Sequence, residues 1–378
     1  MSHAQPFLAD GFGVPGGLYT AKKLLLRTVN LIMETIKMEQ KQNRVPEKPL
    51  GDGFFASAIS FGAMGMSEFY GTPPDDESSL AVLSRALELG VTMFDTADMY
   101  GRGHNERLIA KFLARHPVER SRGRIHIATK FGIDRDPTDS YKRSINNSPA
   151  YIRSACEGSL KRLGVEQIDL YYVHRVNSEA DISETMGVLA DLKQQGKIAH
   201  IGLCEVSAAT LEKAHTVHPV AVLQSEYSLW TRGVEASILP ACRRLGIGFV
   251  AYSPLGRGFL TGKYSSTEQL GTGDFRLSNP RFQGENLRRN VALLATLQAV
   301  AQKYDCTQAQ VALAWVLSRY ERLVAIPGTR SISRIEENCS AAQIALEQDD
   351  ILLLEQTFIA AAIYGERYPL EGMKGANA

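Results

Sequence analysis

What most constrains this chain is a rhythm. From about residue 56 onward, short β-branched or apolar runs alternate with longer amphipathic stretches. The runs fall at residues 59–61, 92–95, 125–130, 168–174, 200–204, 222–226, 248–253 and 323–326. Helical patterns lie between them at 79–89, 106–115, 149–163, 182–195, 208–215 and 235–245. Runs such as IDLYYVH and IGFVAYS are too continuously apolar for a strand with one wet face. Buried strands joined by crossover helices are what a parallel sheet requires. Eight such units predict one α/β domain, a (β/α)8 TIM barrel, with a long Gly- and Arg-rich insertion at residues 256–289 as a candidate lid.

Length and composition agree with one enzyme-sized barrel. The 378 residues divide into an N-terminal extension at 1–50, expected to be poorly ordered, a barrel at 51–365 and a C-terminal tail at 366–378. The extension carries a helical stripe (Leu25, Val29, Ile32, Ile36) and a polar linker at 39–49. It fits a leader, a docking or membrane-surface helix, or sequence upstream of a start at Met38. With 42 Lys plus Arg against 41 Asp plus Glu, the chain has no general field for nucleic acid or acidic membrane. No apolar run reaches the roughly 18 residues of a spanning helix. Five widely spaced cysteines without a C-x-x-C pair read as reduced thiols, consistent with a cytoplasmic protein. The H-x-x-H of His215 and His218 lacks a third ligand, and no metal is expected.

Polar residues at strand ends face the active side of such a barrel. Asp95 ends the second run, with Tyr100 in the loop that follows; Lys130 ends the third and His174 the fourth. Together they form a chemical set. Carbonyl reduction needs a proton donor, and a tyrosine needs its anion stabilised before it can serve near neutral pH. Lys130 supplies that charge, Asp95 holds Lys130, and His174 orients the substrate carbonyl.

Those residues carry a resemblance. In FDTADMYGRGHNE, ATK and DLYYVHR the chain resembles the aldo-keto reductases, over about four-fifths of its length. Within the family it looks most like the pyridoxal and perakine reductase branch. The resemblance implies an NADPH-dependent enzyme that reduces aldehydes or ketones, acts on small-molecule carbonyl substrates, and is a monomer or homo-oligomer. The competing class is a cofactor-binding regulatory subunit, since potassium-channel β subunits resemble the same family.

Cofactor residues follow partly from pattern and partly from that resemblance. No G-x-G-x-x-G follows a strand, so a Rossmann fingerprint is absent. The exit AYSPLGRGFLTGK offers glycines, Arg257 and Lys263 for a diphosphate. The family match stacks Tyr252 on the nicotinamide and lays Ser253, Pro254, Leu255 and Arg257 along the diphosphate. In IPGTRSISRIEEN, Arg330 and Arg334 lie four apart and are expected to converge on a 2'-phosphate beside Gly328. Counterparts of Glu337 and Asn338 hold the adenine in that family. Ala63 and Met64 at the first strand exit, and Cys204, Glu205 and Gln224 as carboxamide clamp, complete the expected set. Cys204 departs from the usual serine and places a thiol beside the cofactor, open to oxidation. Phe69, Tyr70, Tyr227 and Trp230 are expected as substrate-pocket walls.

Overall fold

The computed structural model describes Met1 and residues 44–378, apart from 137, 139–142, 178, 370–371, 373–375 and 377–378. The stripe from Leu25 to Ile36 and the start at Met38 lie outside the described residues. Eight parallel strands form the sheet: β1 (Phe61–Gly62), β2 (Met93–Asp95), β3 (His126–Phe131), β4 (Ile168–Val173), β5 (Ile198–Cys204), β6 (Val222–Glu226), β7 (Gly248–Tyr252) and β8 (Leu323–Ala325). Each pairs in parallel with its sequence neighbour. A parallel bridge from Ile59 to Ala325 joins the two edges and closes the barrel. The chain is a (β/α)8 TIM barrel.

The helices around it are α1 (Asp76–Glu88), α2 (His104–Arg115), α3 (Pro149–Leu163), α4 (Ile182–Gln194), α5 (Ala208–Val217), α6 (Ile238–Leu245), α7 (Gln308–Ser318), α8 (Ile332–Ser340) and a C-terminal α9 (Gln348–Thr357). Their starts are written locally. Asp75, Asp181 and Ser207 each accept a first-turn backbone N–H, and Thr307 with Gln310 forms a reciprocal capping box. Pro149 opens α3, and Gly164, at φ 67°, ends it in the left-handed region.

Strand alternation sorts side chains into two layers. One set, including Phe94, Ile127, Tyr171 and Phe249, packs outward against the helices. The other, including Met93, Ala128, Leu170, Tyr172, Val250 and Val324, fills the barrel interior. Tyr172 lies across the axis because its neighbour is glycine: a Cβ on Gly202 would sit 2.4 Å from the Tyr172 ring. The inward positions continue upward, from Met93 to Asp95, Ala128 to Lys130 and Tyr172 to His174. Period-two geometry therefore delivers the polar residues to one end of the tube.

The other end is closed. A short antiparallel hairpin, Glu47–Pro49 with Phe55–Ser57, drops Leu50, Phe54 and Ala56 into the interior cluster. Burying Leu50 and Phe54 contributes about 1.5–3 kcal/mol each. Residues 47–49 are thus a strand of this stopper. The insertion after β7 winds through short 3-10 turns into a helix at Gly284–Val291. It reaches back to the β1 exit, where Tyr70 bridges Asp274 and the Phe275 N–H donates to Phe69 O at 2.9 Å.

Candidate active site

Lys130 sits at the centre of the upper layer, fully buried. Its ammonium pairs with the Asp95 carboxylate, donates to Thr96 O at 2.9 Å, and lies 3.5 Å from Tyr100 Oη. Gln224 donates to the second Asp95 oxygen at 2.8 Å. The Tyr100 and His174 rings stand nearly perpendicular, 5.8 Å between centroids. The structure thus brings the four expected catalytic residues together. Burial opposes the Lys130 charge, but Asp95 and Tyr100 outweigh it and hold the ammonium protonated. Burial, reinforced by Lys130, Arg175 and Arg143, drives the His174 pKa well down, so the imidazole is neutral.

The Tyr100 result refines the expectation. Burial pushes the phenol up to about 12, and Lys130 only opposes that rise. At neutral pH Tyr100 is therefore a protonated donor. The loop carrying it is held from below by Asn105, which accepts from Thr96 Oγ1 at 2.6 Å and donates to Ala63 O at 2.9 Å. Three left-handed residues follow Tyr100: Gly101, Arg102 and Gly103, at φ 55°, 53° and 80°. A Cβ on Gly101 would lie 2.9 Å from Ser67 Cβ, which accounts for the Y-G-x-G spelling.

Of the expected pocket aromatics, Phe69 packs in one cluster with Met64, Met99, Tyr100 and Ile133. Tyr70 faces the insertion, edge-on to Phe275 at 5.2 Å and with Arg276 over its ring. Tyr227 and Trp230 require correction. Tyr227 is buried between Phe249 and Trp315 and donates to Glu235 at 2.7 Å. Trp230 stacks on Phe259 at 3.9 Å. Both are packing residues of the barrel wall and insertion; alternating apolar letters at a strand exit do not say which way a ring turns.

The expected cofactor residues divide similarly. Arg257 does not offer its guanidinium to an anion: it is buried in an ion pair with Glu226 at 2.7 Å, leaving its backbone, at φ 57°, in the turn. Lys263 is exposed and lies over Tyr264. Arg330 and Arg334 do not converge. Arg330 donates to the carbonyls of Gly65, Tyr70 and Thr72, whereas Arg334 is 53% exposed and paired with Glu337. Asn338 is buried beside them, and Gly328 approaches Gly62 so closely that a Cβ would meet its carbonyl at 2.6 Å.

Cys204 is 1% exposed, and burial pushes its thiol up to about 12. A buried, protonated thiol is not the oxidation-prone group expected from its position. Glu205 is likewise not free: burial works against its charge, but Arg367 and Arg175 hold it below the usual carboxylate range, and Arg367 pairs with it. Arg367 and Tyr368 were not foreseen, because no local pattern at the chain's end says that it returns to the barrel mouth. Among the described residues no group of three or more His, Cys, Asp or Glu side chains could hold a metal ion, and no helix is long and apolar enough to cross a membrane.

A (β/α)8 barrel whose upper layer joins an acid, a lysine, a tyrosine and a neutral histidine defines a class of carbonyl-handling proteins. The chain belongs to the Aldo/keto reductase family, whose sequence profile matches residues 58–358. It is 43% identical over 323 residues to the "Probable aldo-keto reductase 1" of Glycine max, spanning 85% of this chain and 91% of that protein. The glycerol dehydrogenase of Gluconobacter oxydans has a similar structure, with TM-score 0.75, 28% identity and coverage of 82% and 94% of the two chains. So does a thermostable aldo-keto reductase solved with the inhibitor epalrestat (TM-score 0.66, 28% identity, coverage 82% and 99%). As a member of this family the protein is an oxidoreductase acting on small carbonyl compounds. Members of the family generally use nicotinamide cofactors.

Proposed function

We propose that this protein is an NADPH-dependent reductase of aldehydes and ketones, with Tyr100 as proton donor. The observation that carries the reading is the buried Asp95–Lys130 pair placed 3.5 Å from a protonated Tyr100 hydroxyl and facing a neutral His174.

Two enclosed atoms at the β8 exit support a bound nicotinamide dinucleotide there. Arg330 Nη2 and Glu337 Oε1 are buried without a hydrogen-bond partner among the described residues, a donor and an acceptor at the β8 exit. Unpaired buried groups of this kind are costly and point to a ligand. Glu337 and Asn338 would meet the adenine, exposed Arg334 the 2'-phosphate, the backbone after Ser253 the diphosphate, and Tyr252 with Gln224 the nicotinamide. When bound, the nicotinamide supplies the hydride.

The chain's own residues do the rest. His174 Nδ1 is buried without a partner, so the tautomer with its proton on Nε2 leaves no N–H stranded and offers the carbonyl oxygen a donor. Tyr100 gives its hydroxyl proton to that oxygen as negative charge builds there. Lys130 stabilises the phenolate left behind, and Asp95 keeps the ammonium aimed.

The test is NADPH consumption by purified protein against a panel of aromatic and aliphatic aldehydes and ketones. Wild type turns over, and Tyr100→Phe falls by at least about a hundredfold, the scale of general acid catalysis. Equal rates for the two proteins would overturn the reading.

A further inference from the structure

Past α9 the chain crosses the mouth of the barrel. Asn290 both donates to Tyr364 O and accepts from its N–H, each at 2.9 Å. Arg281 holds Gly365 O at 3.2 Å, and Asn279 and Arg257 donate to Arg367 O at 2.9 and 3.1 Å. From this anchored backbone the Arg367 guanidinium reaches down to Glu205 at 2.5 Å and lies 3.7 Å from Glu226. Tyr368 sets its hydroxyl 3.1 Å from that of Tyr252 and its ring 4.4 Å from the Arg257 guanidinium.

The segment therefore ties together the exits of β5, β6 and β7. In the preceding reading, which this inference rests on, those exits receive the nicotinamide and diphosphate. Two carboxylates and two guanidiniums alternate along the seam: Glu205, Arg367, Glu226 and Arg257, with side chains at most 13% exposed. Their charges compensate without an outside ion. Truncating one partner of such a buried pair leaves the other charge stranded and so loosens the segment that the pair holds.

We propose that Arg367 is a positioning residue that latches residues 364–368 as a strap over the nicotinamide end of the groove, so that unlatching sets how fast the cofactor leaves. Arg367 holds Glu205 and Glu226 in place and carries Tyr368 onto Tyr252; it acts through those residues and not on the reacting atoms.

The experiment is stopped-flow displacement of NADPH from the full-length protein by excess NADP+, followed by NADPH fluorescence. Arg367→Ala and Glu205→Gln are each expected to raise the dissociation rate by about tenfold or more. The double variant goes no further than the larger single effect, because both changes open one latch. Arg367→Lys, which keeps charge but loses the fork, falls between wild type and Arg367→Ala. Tyr368→Phe keeps both ion pairs and raises the rate by about twofold to threefold, the loss of one modest hydrogen bond. A dissociation rate within about twofold of wild type in a folded Arg367→Ala protein would overturn the strap, as would single effects that multiply in the double variant. Should Arg367→Ala fail to fold, unchanged dissociation in both Glu205→Gln and Tyr368→Phe overturns it. Wild type that binds and oxidises NADPH while these variants release it normally refutes the strap alone. Wild type that binds no NADPH refutes the cofactor reading and the strap together.

Discussion

Replacing Lys130 with methionine removes the ammonium that Tyr100 faces while nearly preserving side-chain length. The structure sets the size of the loss. At 3.5 Å and an effective dielectric near 20, a unit charge on Lys130 stabilises a full phenolate by about 5 kcal/mol. A proton half transferred in the transition state feels about half of that, so kcat should fall between about 50-fold and about 3000-fold. The same change strands the Asp95 carboxylate, 3% exposed, with Gln224 as its remaining donor. Breaking a buried pair from one side costs about 3–5 kcal/mol of stability. Two effects are thus folded into one substitution, and Asp95→Asn in the same protein separates them. The double variant should regain thermal stability, since no charge remains buried unpaired, yet stay slow. Single-turnover loss of NADPH absorbance at saturating aldehyde, beside NADPH binding by fluorescence, measures both. Lys130→Met losing rate and NADPH affinity by equal factors would refute the assignment, as would a double variant that recovers its rate.

Arg334→Ala should weaken NADPH by about tenfold to a hundredfold while NADH changes little, since of the two nucleotides only NADPH carries a 2'-phosphate for the guanidinium that Glu337 holds; similar losses for both nucleotides in a binding titration would place the phosphate elsewhere. Asp98 is half-buried near Glu106 with one oxygen enclosed and unpartnered among the described residues, and desolvation pushes it up to about 8. With its folded pKa above the unfolded value, the native state binds the extra proton, and stability falls as pH rises from about 4 to about 8. Asp98→Asn should accordingly raise the melting temperature at pH 8.5 and not at pH 4.5; an equal gain at both would sink the argument. Tyr227→Phe should cost about 1 kcal/mol by denaturant titration, through the lost bond to Glu235, and leave KM for aldehydes unchanged. A rise in KM would return Tyr227 to the substrate wall.

The barrel was legible because period-two burial and crossover helices are local signals, and the placing of Asp95, Lys130 and His174 because strand ends inherit the inward phase of the residues beneath them. Met93 predicts where Asp95 points, and Tyr172 where His174 points. What stayed hidden depended on partners distant in sequence. Arg257 reads as an anion ligand until Glu226 claims it, and Arg330 until the carbonyls of Gly65, Tyr70 and Thr72 do. Trp230 reads as a pocket wall until Phe259, supplied by the insertion, stacks against it. Glu205 illustrates the limit most fully, since its partner Arg367 stands 162 positions away.

With Leu50 and Phe54 seated in one end, the tube that holds Lys130 is a blind-ended vessel. On that side apolar side chains lie between solvent and the buried ammonium among the described residues. In the proposed reading, a proton surrendered by Tyr100 is replaced from the side that admits substrate, the side crossed by residues 364–368. In that reading, refilling the acid and clearing the product share one doorway.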